Sequence, residues 1–203
     1  MFFSSKERDY LFITIMLLLV IFPAFLGYSI DKNGKRIVMI ASLAAIASIG
    51  RLAFFMLPQF KPVLAIVIIS SVTLGSYEGF LVGALTGFLS NFYFGQGPWT
   101  VWQMFCFGLV GFLAGLLFQK KRPGVIGICL YGFLVTMIVY GGIMNFYSAM
   151  MLFHHITKGT LLASYASGIP FDFIHAVSTV VFLGICYQPF CKKIERIKLK
   201  YEL

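Results

Sequence analysis

Apolar residues run through this chain in long blocks, without the alternation of a half-buried strand or the three-to-four-residue polar spacing of a surface helix. The first block covers 10–29. A second covers 36–57 and stops at Pro58, which cannot extend a helical hydrogen-bond ladder. A much shorter block, 63–74, ends at Gly75-Ser76, and 77–94 follows at once. Then come 101–118, closed by Lys120-Lys121-Arg122-Pro123, the longer 124–148, and 171–190. Between the last two, 150–169 reads as a more polar connection carrying His154, His155 and Lys158. A hydrocarbon core about 30 Å thick needs about 20 helical residues. Six of the blocks are therefore membrane spans, and the seventh, 63–74, is too short to cross without burial or local thinning.

Composition narrows the solvent. Of 203 residues, 60% are hydrophobic and 11% charged, with a mean hydropathy of +0.91. A soluble domain carries about a quarter charged residues. In lipid every backbone polar group must pair internally, which leaves helices or a closed barrel. Continuous apolar runs exclude the barrel, whose strands alternate. The chain reads as an all-α integral membrane protein, one transmembrane domain over 1–203. The block 10–29 follows Lys6 and Arg8, as a signal peptide would, but Glu7 and Asp9 cancel that charge and no A-x-A site follows. An uncleaved helix is expected.

Charge sets the expected orientation. Of 16 basic residues, eleven fall on one side of a seven-span scheme: Lys32, Lys35, Arg36, Lys120, Lys121, Arg122, Lys192, Lys193, Arg196, Lys198 and Lys200. Lys6, Arg8, Lys61 and Lys158 fall on the other, and Arg51 lies within a span. The positive-inside rule then puts the C-terminus in the cytoplasm. The net charge of +9 is a loop pattern, not a nucleic-acid surface. Cys106, Cys129, Cys186 and Cys191 form no C-x-x-C pair and read as small apolar fillers.

Candidate chemistry gathers at the opposite, outer end. Gly95-Gln96-Gly97-Pro98-Trp99 sets a shaped turn, with Asn91, Gln103 and both tryptophans, Trp99 and Trp102, around it. Aromatic rings there suit an interfacial belt. Together with neutral amides they also suit the wall of an organic-ligand site. Intramembrane polar groups are costly and usually functional. They include Arg51, Asn145 with Tyr147, and the i, i+3 pair Asp172 and His175. Arg51 and Asp172 are a candidate ion pair. A metal site from His154, His155, Asp172 and His175 is disfavoured, because adjacent histidines point apart on a helix. No nucleophile stands with a base, and Gly34-Lys35-Arg36 lacks the upstream glycine and the hydroxyl of a P-loop. Gly79, Gly83 and Gly87, and Gly111 with Gly115, form small-residue stripes for close helix packing, as does Ala41-x-x-x-Ala45 with Ala44 beside it.

The run from about Ile37 to Gly115 resembles the substrate-binding S components of energy-coupling factor (ECF) vitamin transporters. The resemblance rests on the Ala41/Ala44/Ala45 helix ending in Gly50-Arg51-Leu52, on Pro58-Gln59-Phe60-Lys61-Pro62, on Gly75 with Glu78 to Ala84, and on Ser90-Asn91-Phe92 through Gly95-Gln96-Gly97-Pro98-Trp99-Thr100 to Gln103 and Met104. It implies a six-helix core over 36–190, a basic cytoplasmic tail over 191–203, and an extra first helix that departs from the family plan. It implies no ATPase site or cofactor of the chain's own. A membrane coupling subunit would dock on Ala41, Ala44 and Ala45, two cytoplasmic ATPases would supply energy, and the whole would sit in a bacterial cell membrane. The Gly-Gln-Gly-Pro-Trp segment looks most like S components linked to cobalamin. Arg51, Asn91, Gln96, Trp99, Trp102, Gln103, Asn145, Tyr147, Asp172 and His175 are the expected vitamin contacts. Riboflavin or a pteridine is the alternative cargo. An intramembrane enzyme using Asp172 and His175, or a small metal transporter, is the alternative class.

Overall fold

A computed structural model describes residues 34–153 and 155–202, with Tyr10, Phe12, Thr14, Ile15 and Leu18 of the first block. Most of the expected 10–29 span, and His154, lie outside the described residues. From Gly34 onward the described chain is six helices and no strand. They are α1 (Gly34–Ala53), α2 (Val63–Leu74), α3 (Ser76–Phe94), α4 (Pro98–Phe118), α5 (Val125–Leu152) and α6 (Lys158–Tyr201). Four of them (α1, α4, α5 and α6) are long and apolar enough to cross a membrane.

The short α2 answers its own length problem by burial. Every residue from Val63 to Thr73 is buried, and α2 packs against all five other helices. At 1.5 Å per residue it spans about 18 Å, well short of the hydrocarbon core. It is therefore the apolar axis of the bundle and not a lipid-facing span. Its continuous hydrophobicity reflects burial on every side. Gly75 alone joins α2 to α3, with φ of +136°, a backbone conformation only glycine adopts without strain.

The expected glycine stripes pack helices of this same chain. A Cβ on Gly83 would strike the Phe107 backbone, and one on Gly111 would lie 2.5 Å from the Gly79 carbonyl oxygen. A Cβ on Gly115 would strike Ser76, and Ser71 Oγ donates to the Gly111 carbonyl between them. Lipid provides no hydrophobic force between helices, so such close backbone contact carries the α3–α4 association.

The last helix differs most from expectation. The segment read as a connection is largely helical, because α6 begins at Lys158 and runs 44 residues to Tyr201. Thr157 caps it, its Oγ1 accepting from the Thr160 amide at 3.1 Å. At about 66 Å, α6 is far longer than a bilayer is thick, and its basic C-terminal turns pack against the end of the bundle. Cys191 and Ile194 are buried, Lys198 donates to the Thr73 carbonyl at 2.8 Å, and Arg122 pairs with Glu195. Arg36 and Glu78 pair at 3.2 Å at the same end.

Gly83→Leu should force α3 from α4 and cost about 1–3 kcal/mol or more. Thermal unfolding in detergent should show a clear fall in midpoint. Gly184→Ala, which meets nothing within 4 Å, should leave it unchanged. Equal midpoints for both variants would contradict the packing described.

Candidate functional site

At the end of the bundle away from the tail, Arg51 closes the last turn of α1 and points inward, 8% exposed. Its Nη1 donates to Ser90 Oγ at 2.5 Å and to Asn91 Oδ1 at 2.8 Å, both on α3. Its Nη2 reaches Gln103 Oε1 on α4 at 3.5 Å. Asn91 Nδ2 completes the network, donating to Gln103 Oε1 at 2.9 Å and to Thr100 Oγ1 at 3.1 Å. The guanidinium also lies over the Phe94 ring, 4.5 Å from its centroid, and Lys61 Nζ lies 5.3 Å from the same centroid. Burial first, and the nearby Arg51 charge second, hold the Lys61 ammonium below its ordinary value. The expected ion pair between Arg51 and Asp172 is not formed. The guanidinium is turned toward α3 and α4, and its partners are all neutral oxygens.

Asp172 faces a different neighbour. Asn145 Nδ2 on α5 donates to its Oδ2 at 2.7 Å. Two glycines let these side chains fit between α5 and α6. A Cβ on Gly141 would lie 2.5 Å from Asp172 Oδ2, and one on Gly168 would strike the Asn145 amide. Ser164 Oγ donates to the Asn145 carbonyl at 2.7 Å and Tyr165 Oη to the Gly142 carbonyl at 2.8 Å, which fixes the two helices in register.

Asn145 and Asp172 line a cavity of about 330 Å³, with Gln103, Tyr140, Phe171 and, from the loop before α2, Gln59. Ser148, Ser164 and Ser167 add hydroxyls. Tyr140 enters through a local change in winding: α5 loosens to a π-helical turn over Thr136–Tyr140. Such turns re-aim side chains and are frequent at functional sites. The Tyr140 ring stacks on Phe107 at 5.6 Å and 10°, and meets His175 edge-on at 4.7 Å.

The expected contacts thus divide. Gln103, Asn145 and Asp172 line the cavity, and Arg51 and Asn91 stand one layer behind Gln103. Gln96 and Trp99 are exposed, Gln96 Nε2 donating to the Phe88 carbonyl of α3 and Trp99 Nε1 to the Gly95 carbonyl. With Phe92 and Tyr93, both exposed, they form a surface aromatic group of the belt kind. Trp102 is buried against Phe12, Phe146 and Tyr147, away from the cavity lining. His175 is buried behind Tyr140, and among the described residues neither ring nitrogen has a partner. On α1, Ala41 and Ala45 are exposed, while Ala44 is wholly buried and so presents nothing to a partner.

Sequence reasoning missed Gln59, Tyr140 and the three serines. Gln59 and Tyr140 lay in segments read as a connector and as plain apolar helix. The serines flank or fill the segment read as a polar connection. A polar stripe at helical spacing, Ser164, Ser167 and Phe171-Asp172, was the available signal.

Comparison with known proteins agrees with this architecture. A UPF0397 protein of Aliivibrio salmonicida is 36% identical over 99 residues, covering 45% of this chain and 54% of the relative. A UPF0397 protein of Vibrio atlanticus is 30% identical over 129 residues, covering 59% of this chain and 70% of the relative. The chain spans about half the length of the Aliivibrio relatives it matches. No solved structure matches it. The family model described as ECF transporter, substrate-specific component, matches residues 35–187. With three quarters of its length in that match, the chain belongs to the substrate-specific components of ECF transporters.

Proposed function

We propose that this protein captures a vitamin-like organic molecule in the cavity between α5 and α6 and delivers it across a bacterial cell membrane. The observation that carries the reading is the cavity itself. Polar side chains from three helices and a loop converge there in a chain that otherwise spends its surface on lipid. The positive-inside pattern supports a cytoplasmic C-terminus and, with it, a cavity at the outer end. A membrane coupling subunit and two cytoplasmic ATPases on other chains drive the cycle. Cobalamin, the cargo suggested by the Gly-Gln-Gly-Pro-Trp segment, is several times larger than the cavity and would require the helices to part. Riboflavin or a pteridine asks for less.

The docking face is α1. Ala41 and Ala45 lie on its exposed side with Ile37, Val38 and Ile49, also exposed. Small side chains there let a second helix approach closely. An apolar groove of about 600 Å³ continues this face between Val38, Ser42 and Ile46 of α1 and Ile194, Ile197 and Tyr201 of α6.

Two results are expected. Joint replacement of Ala41 and Ala45 by Trp should abolish capture of the coupling subunit and uptake by cells, while ligand binding to the purified chain persists; unchanged capture would sink the docking assignment. Gln103→Ala should weaken binding of the co-purifying ligand by about ten-fold or more, the order of a lost buried hydrogen bond. Trp99→Ala should change it by about two-fold at most. Calorimetry on detergent-purified protein reads both, and the reverse order would move the site to the Trp99 turn.

A further inference from the structure

Asp172 is the one carboxylate between residues 79 and 194. Glu78 and Glu195, the nearest acids in sequence, are paired with arginines at the far end of the bundle. Among the described residues no cation pairs with Asp172. Arg51, the arginine at the same end of the bundle, is taken up by Ser90, Asn91 and Gln103. Among the described residues only Asn145 bonds the carboxylate, through Oδ2. Among the described residues Oδ1 has no hydrogen-bond partner, and the residue lines the cavity at 8% exposure. A carboxylate so deep in a membrane protein is costly without a donor or cation against it.

The rest of the lining specifies a partner. Gln59 offers an amide that donates and accepts, Gln103 its Nε2 donor, since Arg51 and Asn91 take its oxygen, and Asn145 its Oδ1 acceptor. Tyr140 and Phe171 offer ring faces or edges for a flat molecule. A volume of about 330 Å³ lies at the small end of ligand pockets. It takes a one- or two-ring compound and not a corrinoid.

Resting on the transport reading above, we propose that the cargo is a small nitrogen heterocycle bearing an exocyclic amine or a protonated ring nitrogen. That nitrogen donates to Asp172 Oδ1, and the ring lies between Tyr140 and Phe171. Gly141 and Gly168 serve the site by letting Asn145 hold the other carboxylate oxygen, so Oδ1 stays turned to the cargo.

Titration of the purified chain in nanodiscs tests this with matched probes: cytosine against uracil, 2-amino-4-hydroxypteridine against 2,4-dihydroxypteridine, and cyanocobalamin. In at least one pair the aminated member should bind about ten-fold more tightly or better, as for a charge-assisted hydrogen bond. Asp172→Asn should erase that preference with an unchanged unfolding midpoint, and Asp172→Glu should restore part of it. If Asn is not tolerated at 172, the Glu variant and Gly168→Ala, which displaces Asn145, should each weaken binding of the aminated probe by about ten-fold. Equal binding within both pairs, a preference that survives in Asp172→Asn, binding of cyanocobalamin alone, or no binding by any probe would each overturn the proposal. Cyanocobalamin binding would leave the transport reading intact. That reading fails separately, if wild-type protein captures no coupling subunit.

Discussion

Inside a bilayer a polar side chain cannot borrow a hydrogen bond from solvent, so those that do not bond a carbonyl of their own helix look to a neighbouring one. That constraint organises this protein. Arg51 on α1 is held by α3 and α4, Asp172 on α6 by α5, and Ser71 on α2 by α4. The polar contacts between helices are few, and each joins two elements that hydrophobicity alone would leave free to slide. The glycines act with them. Where Gly83, Gly111 and Gly115 remove side chains, backbones close up, and the short α2 can sit wholly inside five neighbours.

The two polar systems meet at Gln103. Its oxygen accepts from Arg51 and Asn91, which fixes the amide's direction, and the side chain forms one wall of the cavity. Across the cavity the Asn145–Asp172 bond fixes the opposite wall. Tyr140 stands in the lining because a π turn re-aims it, and Phe107 braces its ring. The site is thus made of side chains whose orientations are set by neighbours and not by ligand, which lowers the ordering cost of binding. The far end is built differently. Ion pairs and the packed tail of α6 hold it.

Much of the fold was legible because hydropathy reports membrane spans directly. The limits of α2 and the C-terminal ends of α3 and α4 agree with the apolar runs and their Gly or basic stops. The start of α6 was not. Lys158, the serines and Pro170 resemble a loop, yet in the helix those serines face polar neighbours of α5 or the cavity. The candidate site was half legible. Arg51, Asn91, Gln103, Asn145 and Asp172 stood out as polar residues in apolar runs, and the structure puts them in or next to the cavity. Trp99 and Gln96 lie outside its lining, and composition alone cannot tell an interfacial belt from a ligand wall. Tyr140 was hidden because a π turn leaves no mark in an apolar sequence. Ala44 was grouped with Ala41 and Ala45 by spacing, but it lies on the buried side of α1.

The central claim is that cargo enters the cavity walled by Gln103, Asn145 and Asp172. An experimental structure of the protein with its co-purified ligand would test it most directly. The account predicts ligand density in that cavity, within hydrogen-bond distance of Asp172 and Gln103. Density against Trp99 and Gln96, or in the groove between α1 and the tail of α6, would contradict it.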